Sequence, residues 1–253
     1  MPARLFVDEP LAQASPEFSL PAAAARHVQV LRLQPGSPVL LFDGTGWQWQ
    51  AEVLAMHGRN EVQVRLLERE RPARELAEAV TLAVVMPAND RMDGLVEKAT
   101  ELGATRIQPL MSERSVLRLA GERAEKKVAH WRGVAIAACE QSGRCVLPQI
   151  APVQNLAAWL QTLGPQAAQP QQRRWLLSPT AALPIAARSG PAGETLVLSG
   201  PEGGLSPAEE DAARAQGFEA LLLGPRILRA DTAPLAVLGW LALSGLSAGV
   251  SAG

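Results

Sequence analysis

Two stretches of this chain place glycine and charged side chains directly after a short apolar run. The first is Leu198-Ser199-Gly200-Pro201-Glu202-Gly203-Gly204-Leu205, followed at once by Ser206-Pro207-Ala208-Glu209. Its second half has the chemistry of a helix start: Ser206 at N-cap, Pro207 at the first helical position and Glu209 at N3 make a capping box. A strand, a glycine-dense loop and a helix N-terminus in series offer bare backbone on which a ligand can rest closely. The same spacing also suits a tight strand-to-helix connection, and the residues by themselves leave both readings open. The second stretch is Leu223-Gly224-Pro225-Arg226-Ile227-Leu228-Arg229-Ala230-Asp231-Thr232-Ala233-Pro234. It sets two arginines and a carboxylate at a strand's carboxyl end, where open α/β sheets bind ligands. Arg226 and Arg229 read either as site cations or as plain surface arginines. Asp231 and Thr232 are alternative caps for the helix that follows.

Other chemistries fail on their own requirements. Gly44-Thr45-Gly46 begins a dinucleotide fingerprint, but Trp49 and the absence of a following helix pattern break it. No phosphate-binding P-loop occurs. His27, His57 and His130 have no ligand spacing relative to Cys139 and Cys145, so no metal is expected. Gly245-Leu246-Ser247-Ala248-Gly249 matches the hydrolase nucleophile pattern, which needs a strand before its serine; an apolar helical run stands there instead.

The elements that must position the two loops follow from periodicity. Val80–Met86 is a continuous apolar strand, after which Met92, Leu95, Val96, Ala99 and Leu102 recur at helical spacing before Gly103. Ile107–Leu110, Trp175–Leu177, Leu196–Leu198 and Ala220–Leu223 are further strands; Glu122–Cys139 and Leu235–Leu246 are helices. Strands alternating with helices predict an α/β domain with a parallel sheet. Before it, Arg4–Val7, Val39–Phe42, Trp47–Leu54 and Glu61–Leu67 alternate as strands, with one helix over Ala22–Leu33. This predicts a small β-rich unit over 1–72, joined through the charged stretch Glu68–Glu78 to an α/β domain over 73–253. Gly164 to Gln172, rich in Gln, Ala and Pro, reads as a surface loop.

Composition narrows the classes. With 253 residues, 47% hydrophobic and 19% charged, the chain has enough material for a core and is not disordered. Its net charge of −1 announces no nucleic-acid partner, so polyanion binding would need a local patch. Arginine outnumbers lysine 21 to 3, a bias that a GC-rich genome explains as readily as phosphate recognition, although arginine is the better fork for phosphate. Two cysteines suit a reducing cytoplasm rather than a disulfide framework. MPARLFVDEP lacks the apolar segment of a secretory signal, and Leu235–Leu246 is too short for a membrane span.

LSGPEGGL at 198–205 and LLGPRILRADTAPLAV at 222–237 resemble the cofactor-binding end of the SPOUT methyltransferases, and most of all the RsmE family. The likeness extends through Glu97–Gly103, Ser112–Ser115 and Ala135–Arg144, and the N-terminal RLFVD and HVQVLRLQPGSPVLLFDGTG resemble that family's PUA-like RNA-binding domain. Asp231 stands where the family usually has Glu, and Pro234 replaces a small residue. The resemblance implies a trefoil-knotted α/β domain, a homodimer, and S-adenosylmethionine as methyl donor for N3 of a uridine in 16S ribosomal RNA on the small subunit. It implies that the backbone of Leu198, Gly200, Gly203, Leu223, Gly224, Ile227 and Leu228 holds the cofactor. Arg229 would favour the developing uridine anion, Asp231 or Glu202 would take its proton, and Arg4, Arg26, Arg32 and Arg114 would meet RNA. The competing readings are a SPOUT enzyme acting on a ribose 2′-hydroxyl or on transfer RNA, and a non-catalytic RNA-binding assembly factor.

Overall fold

The computed structural model describes residues 2–57, 61–88, 91–165, 171–181, 183–185 and 193–247. The chain divides into two compact units, Met1–Glu75 with Ile136–Leu147, and Leu76–Ala135 with Pro148–Gly253.

In the first unit, β1 (Ala3–Phe6), β2 (Glu17–Ser19), β3 (Pro38–Phe42), β4 (Gln48–His57) and β5 (Glu61–Glu70) form one sheet in the order β1-β3-β4-β5-β2. Only β1 and β3 run parallel. Alternation builds it: Val62 and Val64 are buried while Glu61, Gln63 and Arg65 face solvent. Helix α1 (Ala22–Val30) adds Ala25 and Val28 to a core with Leu5, Leu41 and Val53. It closes in a Schellman turn, Leu33 N donating to Val28 O at 3.1 Å and Arg32 N to Gln29 O at 2.9 Å. The left-handed position of that turn (φ 55°) favours glycine, yet Arg32 occupies it with its side chain exposed.

The second unit is built on β6 (Ala79–Val85), α2 (Arg91–Glu101), β7 (Arg106–Met111), α3 (Gly121–Ser142), β8 (Gln149–Ile150), β9 (Gln154–Asn155) and α4 (Leu156–Thr162). It continues through β10 (Gln172–Leu177), β11 (Leu183–Pro184), β12 (Glu194–Ser199), α5 (Pro207–Ala215), β13 (Glu219–Leu222) and α6 (Thr232–Ser247). The sheet order is β11-β13-β10-β12-β6-β7-β8, with β9 also on β7, and every pairing is parallel. Val80–Val85 and Leu196–Ser199 lie within the core, as expected of strands covered on both faces. Helix α6 runs through Ser247, so no strand precedes that serine; Ala248 and Gly249 lie outside the described residues, as do 166–170 of the expected loop.

The last turns of α3 and the segment after it belong to the first unit. There Arg144, 3% exposed, pairs with Glu75 (Nε 3.0 Å, Nη2 2.5 Å from Oε2). Arg4 corrects an expectation. It does not present a free guanidinium to RNA: it donates to Gln48 Oε1 and to the Arg144 carbonyl at 3.1 Å, and lies 5.1 Å from the Phe42 ring centroid. Cys139 and Cys145 are buried free thiols, and burial pushes the Cys139 thiol up to about 12.

Candidate functional site

Adjacent parallel strands end side by side, so the loops leaving β13, β10, β12, β6 and β7 emerge along one edge of the sheet. Three of them enclose a cavity of about 520 Å³. Gly200, Glu202 and Gly203 line it from the loop after β12, and Leu223, Gly224, Ile227, Leu228 and Arg229 from the loop after β13. Each loop needs glycine for a definite reason. A Cβ on Gly200 would lie 3.1 Å from the backbone nitrogen of Leu205, where the loop folds back on itself. Gly224 has φ +122°, a conformation that side-chain-bearing residues rarely adopt.

The capping box forms as its spacing predicts. Ser206 Oγ accepts from Glu209 N at 3.4 Å and Ser206 N donates to Glu209 Oε2 at 2.9 Å. The cavity is mostly apolar, and Ile227 stands 87% exposed beside it, a large aliphatic surface without a protein partner to cover it.

The carboxylates differ. Glu202 Oε1 accepts from the Ala88 amide at 3.0 Å and from Arg91 Nη1 at 3.1 Å. Asp231 occupies the residue before α6, but its Oδ1 is buried without a hydrogen-bond partner, so that oxygen does not cap the helix. Arg229 and Arg226 are exposed.

Two expected residues lie off the wall. Leu198 is fully buried, packed in the core with Ala83, Leu176 and Leu196. Asp231 sits between the lining residues Ala230 and Ala233 without lining the cavity itself. Arg114 is exposed, and its Nη1 donates to the carbonyls of Gly203 (2.8 Å) and Leu205 (3.4 Å).

Comparison with known proteins gives the family. Residues 74–242 match the family model of an RNA methyltransferase domain, and residues 20–67 that of an RNA methyltransferase PUA domain. A ribosomal RNA small subunit methyltransferase E from Synechocystis is 34% identical over 223 residues, covering 87% of this chain and 71% of its own. The Bacillus subtilis protein of the same name is 31% identical over 230 residues, covering 88% and 89%. This chain belongs to the RsmE family. A crystal structure of the Neisseria gonorrhoeae RsmE protein bound to S-adenosyl methionine superposes with a TM-score of 0.87 at 32% identity, covering 96% of this chain and 98% of that one. The fold is therefore the SPOUT type, behind a PUA-like domain.

Within this RsmE chain the third wall of the cavity escaped sequence reasoning. It is the loop Ser178-Pro179-Thr180 after β10. Ser178 Oγ lies 3.0 Å from Thr180 Oγ1 and 3.2 Å from Glu210 Oε1. The available signal was positional: Trp175–Leu177 is an apolar strand, and a polar turn follows it as loops follow the other two. Among the described residues no group of three or more His, Cys, Asp or Glu is placed to hold a metal ion, and no helix is long and apolar enough to cross a membrane.

Proposed function

We propose that this chain methylates N3 of a uridine in 16S ribosomal RNA, on the small subunit, with S-adenosylmethionine as donor. The observation that carries the reading is the cavity walled by the two glycine loops. Its apolar lining from Leu205, Leu222, Leu223, Ile227 and Leu228 suits an adenosine, and its glycine backbone leaves amides and carbonyls bare for polar edges. Gly200, Gly203, Leu223, Gly224, Ile227 and Leu228 would hold the cofactor, which when bound supplies an electrophilic methyl group.

The residues beside it manage the acceptor. Uridine N3 is a neutral imide and becomes nucleophilic as its proton leaves. Arg229, exposed at the cavity, favours the developing anion, and a carboxylate takes the proton. Glu202 lines the cavity, with Oε1 receiving two donors, and Asp231 Oδ1 lies just off the wall with none, so the proton goes to Asp231 or Glu202.

RNA capture falls to residues 1–72 as a PUA-like domain, with the exposed Arg26 and Arg32 as contacts, and catalysis to 73–253. The working form is a cytoplasmic homodimer. Supporting it, α6 carries no charged residue from Thr232 to Ser247, yet Leu243 is 68% exposed on it. Light scattering reports that state directly.

The test is transfer of labelled methyl from S-adenosylmethionine to small subunits lacking the modification, with naked ribosomal RNA and transfer RNA alongside. N3-methyluridine on the subunits is the expected product by nucleoside mass spectrometry. A 2′-O-methyl nucleoside or labelled transfer RNA would move the reading to another SPOUT reaction. Absence of cofactor binding would leave an RNA-binding assembly factor.

A further inference from the structure

The loop after β7 is built as a strap against the glycine loop after β12. Ser112 N donates to Ser115 Oγ at 2.8 Å, and both serines are buried, which turns the chain sharply. Arg118 Nη2 donates to the Glu113 carbonyl at 2.9 Å and stitches the turn, and Leu119 is 4% exposed beneath it. From this turn two groups reach the neighbouring loop. The Glu113 amide donates to Glu209 Oε1 at 2.8 Å, the oxygen that the capping box leaves over. Arg114 Nη1 donates to the carbonyls of Gly203 and Leu205, while its Cδ and Cβ lie 3.6 and 3.7 Å from where a Cβ of Gly203 would stand.

The opposite side of the same loop is held as well, since Arg91 and the Ala88 amide bind Glu202. A glycine-rich segment is entropically costly to fix in one shape, and ligand affinity improves when that ordering precedes binding. Arg114 holds main-chain carbonyls, so it fixes the loop whatever side chains the loop carries. It is an exposed arginine, free by position to meet phosphate, but its donor is turned inward on the loop.

We propose that Arg114 is a positioning residue that pre-orders the Gly200–Leu205 loop for the cofactor, rather than a contact for RNA. This rests on the reading of the cavity as the S-adenosylmethionine site. In the full chain, isothermal titration of S-adenosylmethionine without RNA should give an affinity about tenfold weaker for Arg114→Ala, equivalent to about 1.4 kcal/mol. Arg114→Lys, which keeps one cationic donor, should recover part of it. In steady state the loss should fall on KM for the cofactor more than on kcat. Small-subunit affinity and its salt dependence should match those of the unmodified protein.

The inference is overturned if Arg114→Ala and Arg114→Lys bind the cofactor normally while the slope of log affinity against log salt shrinks by about one phosphate contact. Gly203→Arg separates the two levels. If it abolishes cofactor binding while Arg114→Ala leaves it intact, the cavity reading stands and the role of Arg114 falls. If Gly203→Arg also binds normally, the cavity reading fails and this inference with it.

Discussion

The two ends of the parallel sheet are made from similar residue types in opposite conditions. At the amino end, Glu78 Oε2 accepts from Arg173 Nη2 at 2.5 Å and from Thr195 Oγ1 at 2.7 Å, and Arg173 Nε donates to Thr195 Oγ1 at 3.1 Å. Gln172 binds Glu194 at 2.7 Å, and Arg174, 2% exposed, donates to the carbonyls of Gln216 and Gly164. Donor meets acceptor throughout. At the carboxyl end Arg226 and Arg229 stand in solvent, Asp231 Oδ1 has no donor, and Ile227 is 87% exposed. Polar groups that satisfy one another hold strands together; groups left open are available to a ligand, at a standing cost in stability.

That contrast breaks most visibly at Arg229. Arg229→Ala should lower kcat by roughly 10²–10³ at saturating cofactor and small subunits, the range for losing one group that stabilises developing charge. Its melting temperature should stay within about 1 °C, as for an exposed side chain. Near-normal turnover would show that this open cation is only surface. The amino end should respond the other way. Glu78→Gln should cost about 2 kcal/mol by removing a charged acceptor from Arg173, seen as a melting temperature several degrees lower, with kcat retained by the folded fraction. A loss of kcat without a shift in melting would undo the distinction between the ends.

Asp93 sharpens it, as a satisfied carboxylate in the first turn of α2, on the carboxyl side of β6. Burial raises its pKa, but hydrogen bonds from His130 (2.7 Å) and Trp131 (2.9 Å), with the charges of His130 and Lys127, outweigh burial and leave it below the ordinary 3.8. A lowered value means stability that is present above the ordinary carboxylate range and lost as pH falls through the folded value. Urea midpoints of the unmodified protein and Asp93→Asn should therefore differ at pH 5 and draw together only as pH falls through the folded value, below 3.8. A gap that persists in acid would assign the contribution to packing.

Much of the fold was legible because burial imposes a period. Met92, Leu95, Val96 and Ala99 are buried on α2 as their spacing requires, and Ser206 with Glu209 formed the box their types predict. Helix α4 leaves little trace in the sequence: seven residues are too few for a clear period, although Asn155 Oδ1 caps it by accepting from Ala157 N at 2.9 Å. The wall at Ser178–Thr180 was hidden for another reason. It joins the site because β10 lies between β12 and β13, an order that no local pattern carries. Arg4 shows another limit, because sequence does not distinguish an arginine whose donors are engaged inside the fold from one that faces solvent.

The first unit is discontinuous in the chain. Its residues 1–75 include Glu75, Gln48 and Arg4, but the buried Arg144, the carbonyl that Arg4 binds and the thiols packed on Phe42 arrive with Ile136–Leu147. During synthesis the amino-terminal unit is thus complete only after residue 147 has emerged, when sixty residues of its neighbour are already outside. At the usual elongation rate of about 5–20 residues per second, that is an interval of several seconds in which Glu75 waits without its cation. A truncation after Glu78 would make the wait permanent.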